Sequence, residues 1–193
     1  MTTNMSTIIS NHFADIDRAI TPLDASHVEL VAHLTELAAT LANVRQAGGK
    51  VYVCGNGGSA SNAGHLVLHL REVGVKAFDL LADVPWVSAV ANDHGYSQVF
   101  NTSLQVLGAS RDDLLIVISG SGKSQNVMRA LEYAVANSIP RWGLLGMGGG
   151  WAKVNCEGVV LVDSDSYAVI EDVHSICIHA LTRTLRVLTK TRM

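Results

Sequence analysis

Five short apolar runs, separated by stretches of helical periodicity, set the tightest limit on how this chain can fold. They span 51–54, 75–81, 114–118, 142–145 and 159–162. Apolar runs without polar alternation belong to strands buried on both faces. Their regular alternation with helices predicts a parallel sheet covered on both sides. The expected fold is therefore a three-layer, doubly wound α/β sandwich with a five-stranded parallel sheet. In such open sheets ligands gather at the carboxyl ends of the strands. Three glycine- and serine-rich clusters begin there: 55–59, 119–124 and 146–150.

Outside the strand region, helical spacing of apolar residues predicts helices over 8–20 and 27–44, with Asp24 and Ser26 as caps between them. A long helix is predicted over 168–188, with Val173, Ile176, Leu181, Leu185 and Leu188 available to pack against the N-terminal pair. The expected organisation is one domain over 1–193, with 1–48 as a helical extension used in oligomerisation. Composition points the same way. Charged residues make up 16% and hydrophobic residues 48% of the 193, which leaves apolar surface to be hidden by self-association. A net charge of −3 with scattered Lys and Arg excludes a broad nucleic-acid or anionic-membrane footprint. No apolar run is long enough to span a bilayer, and the N-terminus does not read as a signal peptide. Cys54, Cys156 and Cys177 are odd in number and widely spaced, which indicates neither a disulfide framework nor a thiolate metal site and fits a reducing cytoplasm.

Two of the clusters carry the chemistry. In the first, Val51 to Cys54 runs into Gly55, Asn56, Gly57 and Gly58, and Ser59 opens a helical pattern. Glycines let backbone N–H groups approach a phosphate, and the unpaired N–H groups of a helix start carry partial positive charge. The second, Ser119-Gly120-Ser121-Gly122-Lys123-Ser124, repeats this logic with three hydroxyls and an ammonium. Such donors suit a phosphate monoester, and a sugar phosphate is the natural ligand. The spacing of Lys123 is not that of a P-loop. Beyond the first cluster, His65 and His69 stand at i, i+4 on one helical face, about 6 Å apart in rise, which suits a single metal ion.

These stretches, CGNGGSASNAGH, VSAVANDHGYSQVF at 87–100, ISGSGKSQNV at 118–127 and IEDVHSICIH at 170–179, resemble the sedoheptulose 7-phosphate isomerases, phosphoheptose isomerases of the SIS (sugar isomerase) fold. The resemblance runs in order from about residue 8 to 188. It implies an aldose–ketose isomerase that interconverts sedoheptulose 7-phosphate and D-glycero-D-manno-heptose 7-phosphate. It also implies a homotetramer with its active sites between subunits. Ser59, Ser119, Ser121 and Ser124 match the phosphate-binding serines, and Asn56, Gly57 and Asp93 match positions near the sugar.

The departures fall where the chemistry lies. The family pattern has a histidine followed four residues later by a glutamate; here these are His65 and His69. The family's glutamine near the C-terminus is Glu171, and its final histidine is His179. The resemblance thus implies a rearranged divalent-metal site, for zinc or a similar ion, made of His65, His69, Glu171 and His179. His69, Glu171 and His179 are the candidate catalytic residues. Glu171 is either a ligand or a free base, because on one straight helix it lies about 12 Å in rise from His179. Gly120, commonly threonine, and Lys123, commonly asparagine, alter the phosphate loop. Lys123 either adds charge for the phosphate or is a solvated helix-start residue. The stretch between His65 and Asp93 is about five residues shorter than in the family pattern, with Arg71 and Lys76 in it, which leaves a different sugar phosphate open. The alternative to catalysis is a phosphosugar- or protein-binding scaffold, similar to the initiator-associating factor that binds DnaA.

Overall fold

A computed structural model describes residues 5–20 and 25–191. Two helices, α1 (Met5–Ile20) and α2 (Ala25–Ala47), precede the sheet region. There follow β1 (Lys50–Cys54), α3 (Gly58–Glu72), β2 (Lys76–Asp79), α4 (Val84–His94), α5 (Val99–Val106) and β3 (Leu114–Ser119). The chain closes with α6 (Gln125–Ala136), β4 (Arg141–Leu145), α7 (Gly150–Asn155), β5 (Gly158–Leu161) and α8 (Tyr167–Thr189). All five expected strands form within a few residues of their apolar runs. The caps expected between the first two helices are not both in place: Asp24 lies outside the described residues, and Ser26 stands inside α2.

The sheet is wholly parallel in the order β2-β1-β3-β4-β5. Chain direction across the sheet reverses between β1 and β3, which are direct neighbours, with Cys54 beside Val117. This juxtaposition sets the two loops that follow β1 and β3 side by side at the switch point, where open α/β sheets bind ligands. Every residue of β3 is buried, the burial pattern of a central parallel strand.

Strand alternation sends side chains to two separate cores. Val51, Val53, Leu114, Ile116 and Ile118 face α2, α3 and α8, whereas Tyr52, Cys54, Leu115 and Val117 face α4–α7. On α8 the packed stripe is Val169, Ile170, Val173, Cys177, Ile178, Leu181 and Leu185. Ile176 and Leu188, expected in that stripe, are exposed instead. Helix α8 packs on α1, α2 and α3, so the expected bundling with the N-terminal helices is present. Helix α1 nevertheless buries none of its residues fully; Met5, Ile8, Ile9 and Phe13 are each more than half exposed. Among the described residues no helix is long and apolar enough to cross a membrane, and Cys54, Cys156 and Cys177 are all unpaired.

Candidate active site

The loop after β1 turns tightly because glycine permits it. A Cβ on Gly55 would lie 2.6 Å from the Ser59 carbonyl oxygen, and Gly57 has φ of +57°. The N-cap residue, Gly57, has no side chain with which to cap α3, which leaves the first-turn N–H groups to an anionic partner. Across the switch point the loop after β3 braces itself. Ser119 Oγ accepts from the Gly122 N–H at 3.1 Å, and Ser121 Oγ from the Lys123 N–H at 3.3 Å. The third glycine cluster sits behind this loop. Gly122, at φ +62°, passes so close to Gly149 that a Cβ would come within 1.9 Å of its carbonyl oxygen, and the Ala152 N–H donates to the Gly122 carbonyl. That cluster is a buttress and does not line the cavity in front.

The cavity, about 290 Å³, is lined by the loops that follow β1 and β3, with Ser59, Ser119, Ser121 and Ser124 among its walls together with Asn56 and Gly57. Two further wall residues come from α8: Tyr167 and Glu171. Asn62 of α3 donates to the Glu171 carbonyl at 2.9 Å, tying the two helices together. The Glu171 carboxylate consequently lies on Gly58, where a Cβ would stand 2.0 Å from Oε2. A carboxylate at a helix N-terminus is favoured by the partial positive charge there. Asn56 is already engaged. It exchanges amide hydrogen bonds with Asn126 at 2.8 and 2.9 Å and accepts from the Tyr96 hydroxyl. Asp93 is exposed at the end of α4, accepts from Asn92, and does not reach this cavity. Lys123 is exposed and outside the lining as well. A roomier cavity of about 360 Å³ lies between β2, α4 and α5, with Phe78, Leu80, Trp86 and Val106 in its walls. Its walls include none of Ser59, Ser119, Ser121 and Ser124 and no histidine, so the chemistry argues for the smaller one.

Among the described residues, one group of histidine, cysteine and carboxylate side chains converges as a metal site would require: His65, His69 and His179, with donor atoms all within 4.8 Å of one another. The Nε2 atoms of His65 and His69 are 2.9 Å apart. Ring centroids of His179 lie 4.7 Å from His65 and 5.3 Å from His69. Burial holds His65 below the usual histidine range, and the neighbouring His69 and His179 add to this. It is thus neutral at neutral pH, with a lone pair to offer. Three imidazoles are a sufficient donor set for zinc and similar divalent ions.

Glu171 does not join this group, which corrects the expectation of a four-residue set. Shared coordination with His179 needed Glu171 in a frayed turn, but α8 begins at Tyr167, so Glu171 is inside the helix and its carboxylate turns to the cavity. Several residues at the site were not anticipated. Tyr167, at the start of α8, comes from a distant part of the chain and left no local trace, whereas Asn126 stands two residues after Ser124, within the 118–127 stretch, without a role read for it there. Glu72 had one: it stands three residues after His69 on the same helix, and its Oε2 lies 2.8 Å from His69 Nδ1. Arg186 of α8 donates to that same carboxylate oxygen at 2.7 Å.

Residues 16–140 match the SIS domain family. The chain is 35% identical over 162 residues to phosphoheptose isomerase 1 of Campylobacter jejuni, covering 81% of this chain and 87% of that one. Its fold is similar to that of a phosphoheptose isomerase from Neisseria gonorrhoeae, with a TM-score of 0.88 at 27% identity over 95% of this chain and 100% of that one. A phosphoheptose isomerase from Francisella tularensis gives a TM-score of 0.87 at 30% identity, covering 96% and 100%.

Proposed function

This chain belongs to the phosphoheptose isomerase family of SIS-domain proteins, and from that premise we propose that it interconverts sedoheptulose 7-phosphate and D-glycero-D-manno-heptose 7-phosphate. The reaction class is an aldose–ketose isomerisation of a sugar phosphate. The observation that carries this reading is a single cavity in which four phosphate-type serines from two loops face a carboxylate on α8. The chemistry requires a base for the proton beside the carbonyl, an acid for the carbonyl oxygen, and stabilisation of the enediolate between them.

Ser59, Ser119, Ser121 and Ser124, with the N-terminus of α3, anchor the phosphate and so position the reacting carbons. Glu171 is the base: its carboxylate borders the space in front of the serines. His65, His69 and His179 are suited to hold a divalent ion, for which we propose zinc. When bound, such an ion supplies Lewis-acid stabilisation of developing negative charge. His179, the exposed member of the trio, is the one available for proton transfer to substrate. Asn56, held by Asn126 and Tyr96, braces the first loop.

We also propose that the protein works as a cytoplasmic homotetramer with sites between subunits, within which residues 1–48 form contacts between copies. The apolar row Met5, Ile8, Ile9 and Phe13 on α1 supports this assignment. So does Asp93, which is exposed and away from its own chain's cavity and is therefore on offer to another copy. The non-catalytic scaffold alternative draws only on His69, an imidazole where the family pattern has a carboxylate. Turnover of sedoheptulose 7-phosphate by the purified protein, with and without divalent metal, decides between them. No isomerisation of any ketose or aldose phosphate with metal present would eliminate the enzyme reading.

A further inference from the structure

The Glu72 carboxylate is in hydrogen-bond contact with the three-histidine group and is anchored from both helices that build it. Its Oε2 lies 2.8 Å from His69 Nδ1 on α3 and accepts from Arg186 of α8 at 2.7 Å. A carboxylate of this kind is an acceptor only, so the His69 ring donates through Nδ1. The Nε2 of a neutral His69 is then a bare lone pair, and it faces His65 Nε2 at 2.9 Å. An i, i+3 ion pair on an exposed helix face would ordinarily mean little. Two observations separate this one from that class. The His69 side chain is only 16% exposed, so its ring orientation is decided by what it touches. The cation that holds Glu72 comes from α8, the same helix that delivers His179.

We propose that Glu72 is a positioning residue that locks His69 in the Nδ1–H tautomer and aims Nε2 at an ion shared with His65 and His179. The inference rests on the three-histidine metal reading above. Carboxylates behind ligating imidazoles fix ring orientation, raise ligand basicity, and typically govern about 10- to 100-fold in metal affinity. Glu72 is partly exposed and outside the core, so its replacement leaves the fold intact.

The test uses the metal-free protein and zinc alone. Nitrogen-15 spectra of the imidazoles, recorded above the histidine titration range, report the His69 tautomer. Zinc affinity is measured separately by competition with a chromogenic chelator. In the wild type His69 is expected as the Nδ1–H tautomer. In Glu72→Ala it becomes a mixture of tautomers, and zinc binds about 10- to 100-fold more weakly. Glu72→Gln, whose amide oxygen still accepts from Nδ1–H, is expected to retain the tautomer and to recover part of the affinity. An unchanged tautomer in Glu72→Ala, or unchanged zinc affinity there, overturns the proposal. A wild type whose tautomer follows Glu72 but which takes up no zinc overturns the metal reading and supports the orienting role.

Discussion

Replacing Gly58 by alanine should separate stability from activity. The position is the first residue of α3, and its φ is not in the left-handed region. The backbone therefore accepts a side chain there, and by the general advantage of alanine over glycine the fold should gain up to about 1 kcal/mol. The added Cβ, however, would stand 2.0 Å from Glu171 Oε2, 2.3 Å from its Cδ and 2.5 Å from Oε1. Ordinary contact begins at 3.4 Å, so the carboxylate has to retreat by about 1.4 Å. A misplacement of about 1 Å at a reacting group costs on the order of 100-fold in rate. The variant is expected to show a kcat lower by about 100-fold or more, a KM changed little because the serines are untouched, and an undiminished urea midpoint. Isomerisation of sedoheptulose 7-phosphate read beside urea unfolding measures all three. A Gly58→Ala enzyme with wild-type kcat would refute Glu171 as the base. A loss of activity that merely tracks a lower unfolding midpoint would refute the steric argument.

Other expectations follow from the same geometry. Ser119→Ala removes the acceptor of the Gly122 N–H in a buried loop and should cost about 1 kcal/mol in unfolding while raising KM more than it lowers kcat. Gly122→Ala puts a Cβ against the Gly149 carbonyl at positive φ and should cost more than about 1 kcal/mol, with phosphate binding lost, as calorimetry of the phosphate complex will read. Burial pushes His174 down to about 4; a histidine lowered on folding binds its proton more readily when unfolded. Its contribution is complete above the ordinary value of 6.5 and is lost as pH falls from there toward 4, by about 3 kcal/mol in all. His174→Leu should flatten the stability profile across that window, and equal slopes for the two proteins would refute the assignment. Ile9→Glu with Phe13→Glu on the exposed row of α1 should shift sedimentation toward smaller species; an unchanged assembly would remove α1 from the interface.

The legible parts of this protein are those in which cause and effect are neighbours in the chain. The apolar run 114–118 reads as a central strand because burial on both faces leaves no room for polar alternation, and β3 is that strand. His65 and His69 share a helix face by spacing alone, and their Nε2 atoms meet. The serines of the two loops stand out in the sequence because the glycine-rich clusters that carry them lie between a strand and a helix. The errors are of another kind. Ile176 was counted in the packed stripe of α8, but which side of a helix is covered depends on what lies against it. Glu171 was grouped with His179 through the family resemblance, and the helical rise of about 12 Å that parts them on α8 decides against that grouping. Tyr167 gave no sign, since nothing near it in the chain marks it as facing a glycine-rich loop; Asn126 follows Ser124 by two residues, but its partner Asn56 is 70 residues away and only the fold brings them together.

The sequence by itself determined the five strands, the two glycine- and serine-rich loops that follow β1 and β3 and the histidine pair on α3, because strand burial, glycine turns and helical periodicity act over a few residues. The tertiary structure decided that β1 lies next to β3, which merges two loops about 60 residues apart into one cavity. It decided that α8 crosses α3 so that His179 joins His65 and His69 while Glu171 rests on Gly58. Strand order and helix crossing are settled by which faces bury against which, a competition among all the elements at once. No single stretch of the chain contains that outcome.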